Sequence, residues 1–339
     1  MMSLSKTANS SLAKVCNPEA PMTFVYVLVS NEKDTYYEQT MISASSLLTH
    51  NNGAKVVIIV DQGTAATFKG KRTYHEKLGV QIREIQVPES YNNRDRSRFL
   101  KTTMYHYIDE DFLFIDGDTL ICEELKPDFS EDMSIGMVLD RHQKISEGSY
   151  QNFYEKRSKP LHWSAGYQDL HFNSGVIWVK KSPDAQKFFD EWHKLWKETL
   201  EKYAVVYDQT ALNEVNVRLE GIVKEMDGTW NCQATRRSSF IKYLYNAKIM
   251  HYYASFGLTC FDLANKDIQR TILNETHKGL DTIIANPKIA FSSVQDVNAD
   301  PTSVRIQRTA FYRAIVFMYK HLKPAYRAID KICGLFIHK

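Results

Sequence analysis

The feature that most constrains this chain is a succession of short, unbroken β-favouring runs separated by segments of helical spacing. Phe24–Ser30 is such a run, as are Lys55–Val60, Val80–Val87 and the four residues Phe112–Ile115. Continuous apolar runs without polar alternation suit strands buried on both faces, which occur where helices cover a sheet on both sides. Between the first two, Tyr36–His50 spaces Met41, Ala44, Leu47 and Leu48 as one face of a helix. Arg98–Tyr107 reads as another helix. This β-α-β-α order predicts a largely parallel sheet with helices on both faces.

The second half is less regular. Phe172–Lys180 reads as a strand, and Ser182-Pro183 supplies a helix start, serine as N-cap and proline at the first position. The following helix puts Phe188, Phe189, Trp192, Leu195, Trp196 and Leu200 on one face, a pattern of core packing. Residues 1–21 read as a loose leader, 22–285 as one globular domain, 286–304 as a loop and 305–339 as a basic amphipathic helical tail. No apolar run approaches the roughly 20 residues that span a bilayer.

Charge is unevenly placed. From Arg305 onward eight Lys/Arg face the single acid Asp330, a net +7, while the rest holds 35 bases against 39 acids, −4. A mildly acidic body argues against nucleic acid as a partner. The tail sets Phe311, Ala314, Ile315, Met318 and Leu322 on one helical face, with Pro324 interrupting, and suits contact with an anionic membrane surface. The five cysteines are widely spaced and lack a C-x-x-C pair, which points to a reducing, cytoplasmic setting.

The chemistry concentrates in Phe112-Leu-Phe-Ile-Asp116-Gly117-Asp118. With 21 aspartates in 339 residues, chance alone supplies about one D-x-D, and Asp109-Glu110-Asp111 is a second match at the other end of the same strand. Position separates them. Asp116 and Asp118 stand where the strand emerges at its C-terminal end, the edge that borders the ligand crevice in open α/β sheets. Two residues apart on extended backbone, both carboxylates can address one cation, and Gly117 permits close backbone approach. His251 ends a later short run, Ile249–His251. Two carboxylates and an imidazole suit Mn²⁺, with Mg²⁺ an alternative.

These residues carry a family resemblance. From about Met22 to Ser255 the chain resembles nucleotide-sugar glycosyltransferases of the GT-A (Rossmann-like) fold, and most of all the retaining glucosyl- and galactosyltransferases of glycosyltransferase family 8. The parts occur in the family's order: a strand ending in Ser30-Asn31, then Arg98, the strand into Asp116-Gly117-Asp118, Phe172-Asn173-Ser174-Gly175, Tyr207-Asp208-Gln209, Trp230-Asn231 and His251. The resemblance implies an α/β fold with a mixed, mostly parallel sheet, a UDP-hexose donor and a glycan or lipid-linked acceptor. It further implies that Ser30, Asn31 and Asp34 hold the nucleotide and that Arg98 faces the diphosphate or donor sugar. Asp116, Asp118 and His251 would bind the metal, Asp140 and Asn173 would line the sugar site, and Asp208 and Gln209 would lie beneath the anomeric carbon.

One departure stands out. In the family the histidine leads into glycine and then lysine-proline-tryptophan, whose lysine grips phosphate, whereas here Tyr252-Tyr253-Ala254-Ser255 follows. Lys242, Lys248 and Lys266 are the candidates to replace it. Asp208 reads equally as base, as orienter or as the cap of the next helix. Asp169 and Glu147 lie in an aromatic-rich segment with Tyr150, Tyr154, His162, Trp163 and Tyr167, readable as an acceptor loop or as packing. Two other readings compete. A nucleotidyltransferase usually wants a glycine-rich loop after the first strand, and Val29–Asp34 contains no glycine. A non-catalytic nucleotide-sugar-binding protein would bind UDP without turnover.

Overall fold

The computed structural model describes residues 22–148, 150–203, 207–234, 240–252, 263, 266–272, 278–288, 306 and 309–337. The leader at 1–21 and most of the loop at 286–304 lie outside the described residues.

The main sheet has seven strands: β1 (Thr23–Leu28), β2 (Lys55–Asp61), β3 (Gln81–Ile85), β4 (Phe112–Ile115), β6 (Ile135–Leu139), β7 (Phe172–Val179) and β8 (Val223–Glu225). Their order is β3-β2-β1-β4-β7-β6-β8. Neighbours pair in parallel except around β7, which runs against both β4 and β6. The chain builds outward from β1 to β3 and then returns to β4 on the other side of β1. That reversal opens a crevice at the C-terminal ends of β1 and β4. Because β7 is inverted, its first residues rather than its last reach the same edge.

A second sheet holds β5 (Thr119–Ile121), β10 (Ile249–His251) and β9 (Cys232–Gln233), ordered β5-β10-β9. Its registers pair His251 with Thr119 and with Gln233. One short ladder therefore sets His251 beside the residue following Asp118 and two residues from Asn231.

Helices cover both faces of the main sheet: α1 (Tyr36–His50), the short α2 (Gln62–Ala65) and α3 (Tyr74–Leu78), α4 (Asn93–Thr103), α5 (Gln151–Ser158), α6 (Pro183–Tyr203) and α7 (Asp208–Arg218). The predicted helix at Arg98–Tyr107 starts earlier, because Asn92 accepts from the backbone N–H of Arg94 and Asp95 as N-cap, and its last turn tightens into a 3₁₀ segment. The Ser182 hydroxyl accepts from the Ala185 N–H at 3.1 Å and starts α6 as its sequence predicts. Phe188, Phe189, Trp192 and Trp196 are all fully buried. Trp192 also donates its indole N–H to the Asp208 carbonyl at 2.8 Å, so the core of α6 fixes where α7 begins.

In the tail, Ala310–His321 and Lys323–Ile337 are helical, and Pro324 sits in the opening turn of the second helix, where its missing N–H costs nothing. Tyr319 and Tyr326 meet edge to face between them. Phe311, Phe317, Ile332 and Leu335 are exposed. Among the described residues no helix is long and apolar enough to cross a membrane.

Candidate active site

A cavity of about 710 Å³ opens at the crevice, within the range of small-molecule sites. The strand order lays its chemistry out in a row. Asp116, Gly117 and Asp118 follow β4, Asn173–Gly175 open β7, and Asp140 follows β6. Arg98 and Lys101 come from α4, and Asp208 and Gln209 from the start of α7.

Asp116, Asp118 and His251 each present one ligand atom, all within 4.8 Å of one another. His251 Nε2 lies 3.1 Å from an Asp118 oxygen. Two hard oxygens and an imidazole fit a divalent cation of the Mn²⁺ or Mg²⁺ type. Burial pushes the Asp116 carboxyl up despite Lys101. Burial would also raise Asp118, but His251 outweighs it and holds that carboxyl below the usual range. Burial opposes a charge on His251, yet Asp118 prevails and the imidazole is raised.

Two glycines shape this corner. A Cβ on Gly117 would stand 2.4 Å from the Thr40 hydroxyl, so that glycine answers to α1 behind it. One on Gly175 would stand 2.2 Å from His251 Cε1.

A chain of hydrogen bonds crosses the site. Asn173 Nδ2 donates to Asp140 at 2.9 Å, and Asn231 Nδ2 donates to Asn173 Oδ1 at 2.9 Å. Asn231 Oδ1 lies 2.9 Å from His251 Nδ1. The asparagine oxygen can only accept, so Nδ1 carries a proton and Nε2 is aimed at the carboxylates, the usual outer support of a ligating histidine. Tyr154 donates to the other Asp140 oxygen at 2.6 Å.

Arg98 Nε donates to Asp208 at 3.1 Å. The Asp208 charge raises the guanidinium above its ordinary value. Burial would raise Asp208 in turn, but Arg98 and then Lys101 hold it ionised and below the usual carboxylate range. Asp208 does not cap α7: Tyr207 occupies that position without a side-chain cap, and Asp208 is spent on Arg98. Gln209 Oε1 accepts from the Ser174 N–H at 3.3 Å.

The Ser30 hydroxyl donates to Asp34 at 2.6 Å and accepts from Arg72, while Asp34 also takes the Asn31 N–H at 2.9 Å. These three close a tight loop at the end of β1, and the cavity wall beside them is Val29 and Tyr36. Lys248 lies over the Trp230 ring and Lys242 over Tyr243, neither lining the cavity, and the Lys266 side chain lies outside the described residues. Lys101 does line it, donating to both Asp116 oxygens at 2.9 and 3.0 Å over the Phe114 ring. Sequence reasoning missed Lys101, although it lies one helical turn from Arg98. In the aromatic segment Trp163 and Tyr154 are buried packing, Asp169 accepts from the Ser146 N–H, and Phe153, Arg141 and Arg157 reach the cavity.

The model of the family "Glycosyl transferase family 8" matches residues 27–256. The chain belongs to glycosyltransferase family 8, and with it to the glycosyltransferases of GT-A fold that use a nucleotide-sugar donor. No curated protein sequence matches the chain significantly. Similar solved structures include the galactosyltransferase LgtC in complex with donor and acceptor sugar analogs, 18% identical over 80% of this chain and 97% of that one, TM-score 0.49. Mouse xyloside xylosyltransferase 1 in apo form is 13% identical over 68% and 97%, TM-score 0.46. The glycosyltransferase GlyE of Streptococcus pneumoniae TIGR4 is 12% identical over 79% and 64%, TM-score 0.46.

Proposed function

We propose that this enzyme moves a hexose, glucose or galactose, from a UDP-sugar to a glycan or glycolipid acceptor with retention of configuration. Synthesis of surface polysaccharide or lipopolysaccharide is the setting that fits. The observation that carries the reading is the Asp116–Asp118–His251 group, placed at the sheet's switch point and in one cavity with Asp140, Asn173 and Gln209.

Expelling a nucleoside diphosphate from a sugar builds negative charge on the leaving phosphate. A divalent cation held by the three ligands supplies Lewis-acid stabilisation of that charge. Arg98 and Lys101 add fixed positive charge in a partly water-excluded cleft. Asp140 and Asn173, locked to each other, are set to hold donor-sugar hydroxyls. Retention lets the leaving phosphate oxygen take the acceptor proton, so no protein base is required. Asp208, kept ionised by Arg98, faces the same cavity and stabilises the oxocarbenium-like sugar as an orienting anion, while Gln209 is fixed by Ser174.

The tail's exposed apolar residues on a strongly basic helix pair support peripheral attachment to an anionic membrane on its cytoplasmic face. Truncation before Asp300 then abolishes binding to vesicles containing anionic lipid, and retained binding refutes the attachment.

The test of the activity is UDP release from UDP-glucose and UDP-galactose with Mn²⁺, with and without EDTA, followed by NMR of the new anomeric linkage. Release that depends on the cation, from one UDP-hexose, with the anomeric configuration kept, is the expected result. Equal release by the Asp116→Asn and Asp118→Asn variants overturns the reading.

A further inference from the structure

Helix α1 carries more buried hydroxyls than a covering helix needs. Beside its apolar face a second stripe, Thr40, Ser43 and Ser46, recurs every three residues, and all three side chains are buried. Serine and threonine are poorer helix formers than alanine, and a hydroxyl taken out of water is costly unless it is hydrogen-bonded. The stripe faces one short segment. A Cβ on Gly117 would stand 2.4 Å from Thr40 Oγ1, Ser43 Oγ lies 2.7 Å from Thr119 Oγ1, and Ser46 Oγ accepts the Ile121 N–H at 2.9 Å. Three positions of α1 thus meet alternate residues, 117, 119 and 121, where the chain leaves β4 and becomes β5.

The middle contact belongs to a longer chain. Thr119 Oγ1 reaches the Asp116 carbonyl at 2.9 Å, and on its other side Ser43 Oγ lies 3.1 Å from the Tyr26 hydroxyl of β1. One proton per hydroxyl fixes the direction. A carbonyl only accepts, so Thr119 gives its proton to Asp116 and must accept from Ser43. Ser43 in turn accepts from Tyr26. Burial raises the Tyr26 phenol above its ordinary value, outweighing the bond to Ser43, so the proton stays at the head of the chain. Tyr26, Ser43 and Thr119 are each fully buried.

The chain ends where the carboxylates are aimed. The Asp116 N–H donates to the Gly175 carbonyl and the Tyr252 N–H to the Asp118 carbonyl, each at 2.8 Å. Thr119 fastens the same turn from a third side. It is bonded to one candidate ligand, adjacent in sequence to the second, and paired across the β5–β10 ladder with the third.

We propose that the hydroxyls of Tyr26, Ser43 and Thr119 are positioning groups for the cation site, a directed relay through the core that holds the Asp116–Asp118 turn in its ligating shape before an ion arrives. This rests on the metal-dependent transfer proposed above and adds three residues to that site, none of which lines the cavity. A turn ordered in advance need not be ordered by the cation, which favours binding.

Titration of Mn²⁺ into the full-length, metal-free protein tests it without requiring turnover. Thr119→Val keeps the shape and removes the hydroxyl, and its Mn²⁺ affinity falls by about tenfold or more, the effect of losing an outer support. Thr119→Ser keeps the hydroxyl and binds close to wild type. Ser43→Ala and Tyr26→Phe cut the relay further back and weaken binding by less, in that order. Added to Thr119→Val, Tyr26→Phe produces no further loss, since the relay is already cut. Wild-type affinity in both Thr119→Val and Ser43→Ala overturns the proposal. So does a Thr119→Ser variant as weak as Thr119→Val, which would assign the effect to packing. If Thr119→Val does not fold, Ser43→Ala decides alone, because alanine suits the helix and removes only the hydroxyl. A wild-type protein that itself binds no Mn²⁺ overturns the metal reading and the relay together, whereas binding that is equal in wild type and variants overturns the relay alone.

Discussion

Gly175 lies against the imidazole of His251 so closely that a single added Cβ would stand 2.2 Å from Cε1 and 2.6 Å from Nδ1. The contact joins the first residues of the inverted strand β7 to the last residue of β10. It explains why a glycine follows Asn173-Ser174 at a position whose own backbone makes no left-handed demand. Gly175→Ala must displace the ring, and with it one of the three candidate ligands. The expected result is at least about a tenfold weaker Mn²⁺ affinity by titration, with an almost unchanged circular dichroism spectrum. Wild-type affinity would remove His251 from the ligand set.

Asn231 reaches His251 on one side and Asn173 on the other, so it ties together the proposed metal half and the proposed sugar half. Asn231→Ala frees the imidazole to turn and leaves Asn173 Oδ1 short of a donor. Mn²⁺ affinity should fall by about 10–100-fold. The KM for donor should rise as well, and a variant with only one of these defects would show that the hydrogen-bond chain does not couple the halves.

Lys101 is a buried cation on an aspartate that the proposed function also gives to a metal. Lys101→Met leaves Asp116 without that partner, and the metal-free protein should lose roughly 1–3 kcal/mol in urea unfolding. Saturating Mn²⁺ supplies positive charge at the same carboxylate, so the loss should shrink when the titration is repeated with the ion. An equal loss in both conditions would point to packing on Phe114 instead.

Of the pair Arg98–Asp208, the acid is the more revealing member to change. Asp208→Asn keeps its volume and removes the charge. Turnover should fall by about 10²-fold with a smaller change in donor KM. A change confined to KM would make Asp208 merely a clamp for Arg98.

Acid should weaken the fold through His171. Its ring is buried and packs at a tilt against Tyr154, and burial pushes its pKa down from 6.5 to about 4. The unfolded chain then binds the proton more readily than the folded one between those values. Stability is complete above about pH 6.5 and declines as pH falls toward 4, by up to about 3 kcal/mol from this group. Urea midpoints measured from pH 7 to pH 4 should show that slope, reduced in His171→Gln if the variant folds.

The strands were legible because each is a single apolar run. The acidic pair that clusters with His251 was legible because it stands at the C-terminal end of one of them. Its decoy at the other end is spent on structure: Asp111 accepts the Lys181 N–H, and Glu110 engages Thr23 and Lys55. What sequence could not reveal are relationships across long separations. Asn173 and Asn231 meet only because the two sheets abut, and Gln233 finds Arg141 across 92 residues. The assignment of Asp208 stayed open in the sequence for the same reason, since its partner Arg98 is 110 residues away. Lys101 is different. Its spacing from Arg98 was visible, but nothing local distinguishes a lysine turned inward to Asp116 from one in solvent.

The inversion of β7 has a consequence for how such an enzyme diversifies. Because β6 ends and β7 begins at the same edge, residues 140–171 leave and re-enter the sheet at one place, where the Asp140 N–H meets the His171 carbonyl at 2.7 Å. That segment is a cassette hinged beside the candidate site, and it contains Arg141, Phe153 and Arg157 of the cavity wall. It contributes no strand to the main sheet and none of Asp116, Asp118 and His251. On the proposed function, sequence change beyond Asp140 alters the acceptor side while Asp140 stays with the donor sugar, so a graft that keeps Asp140 and exchanges the rest of the cassette is the way to transplant acceptor choice.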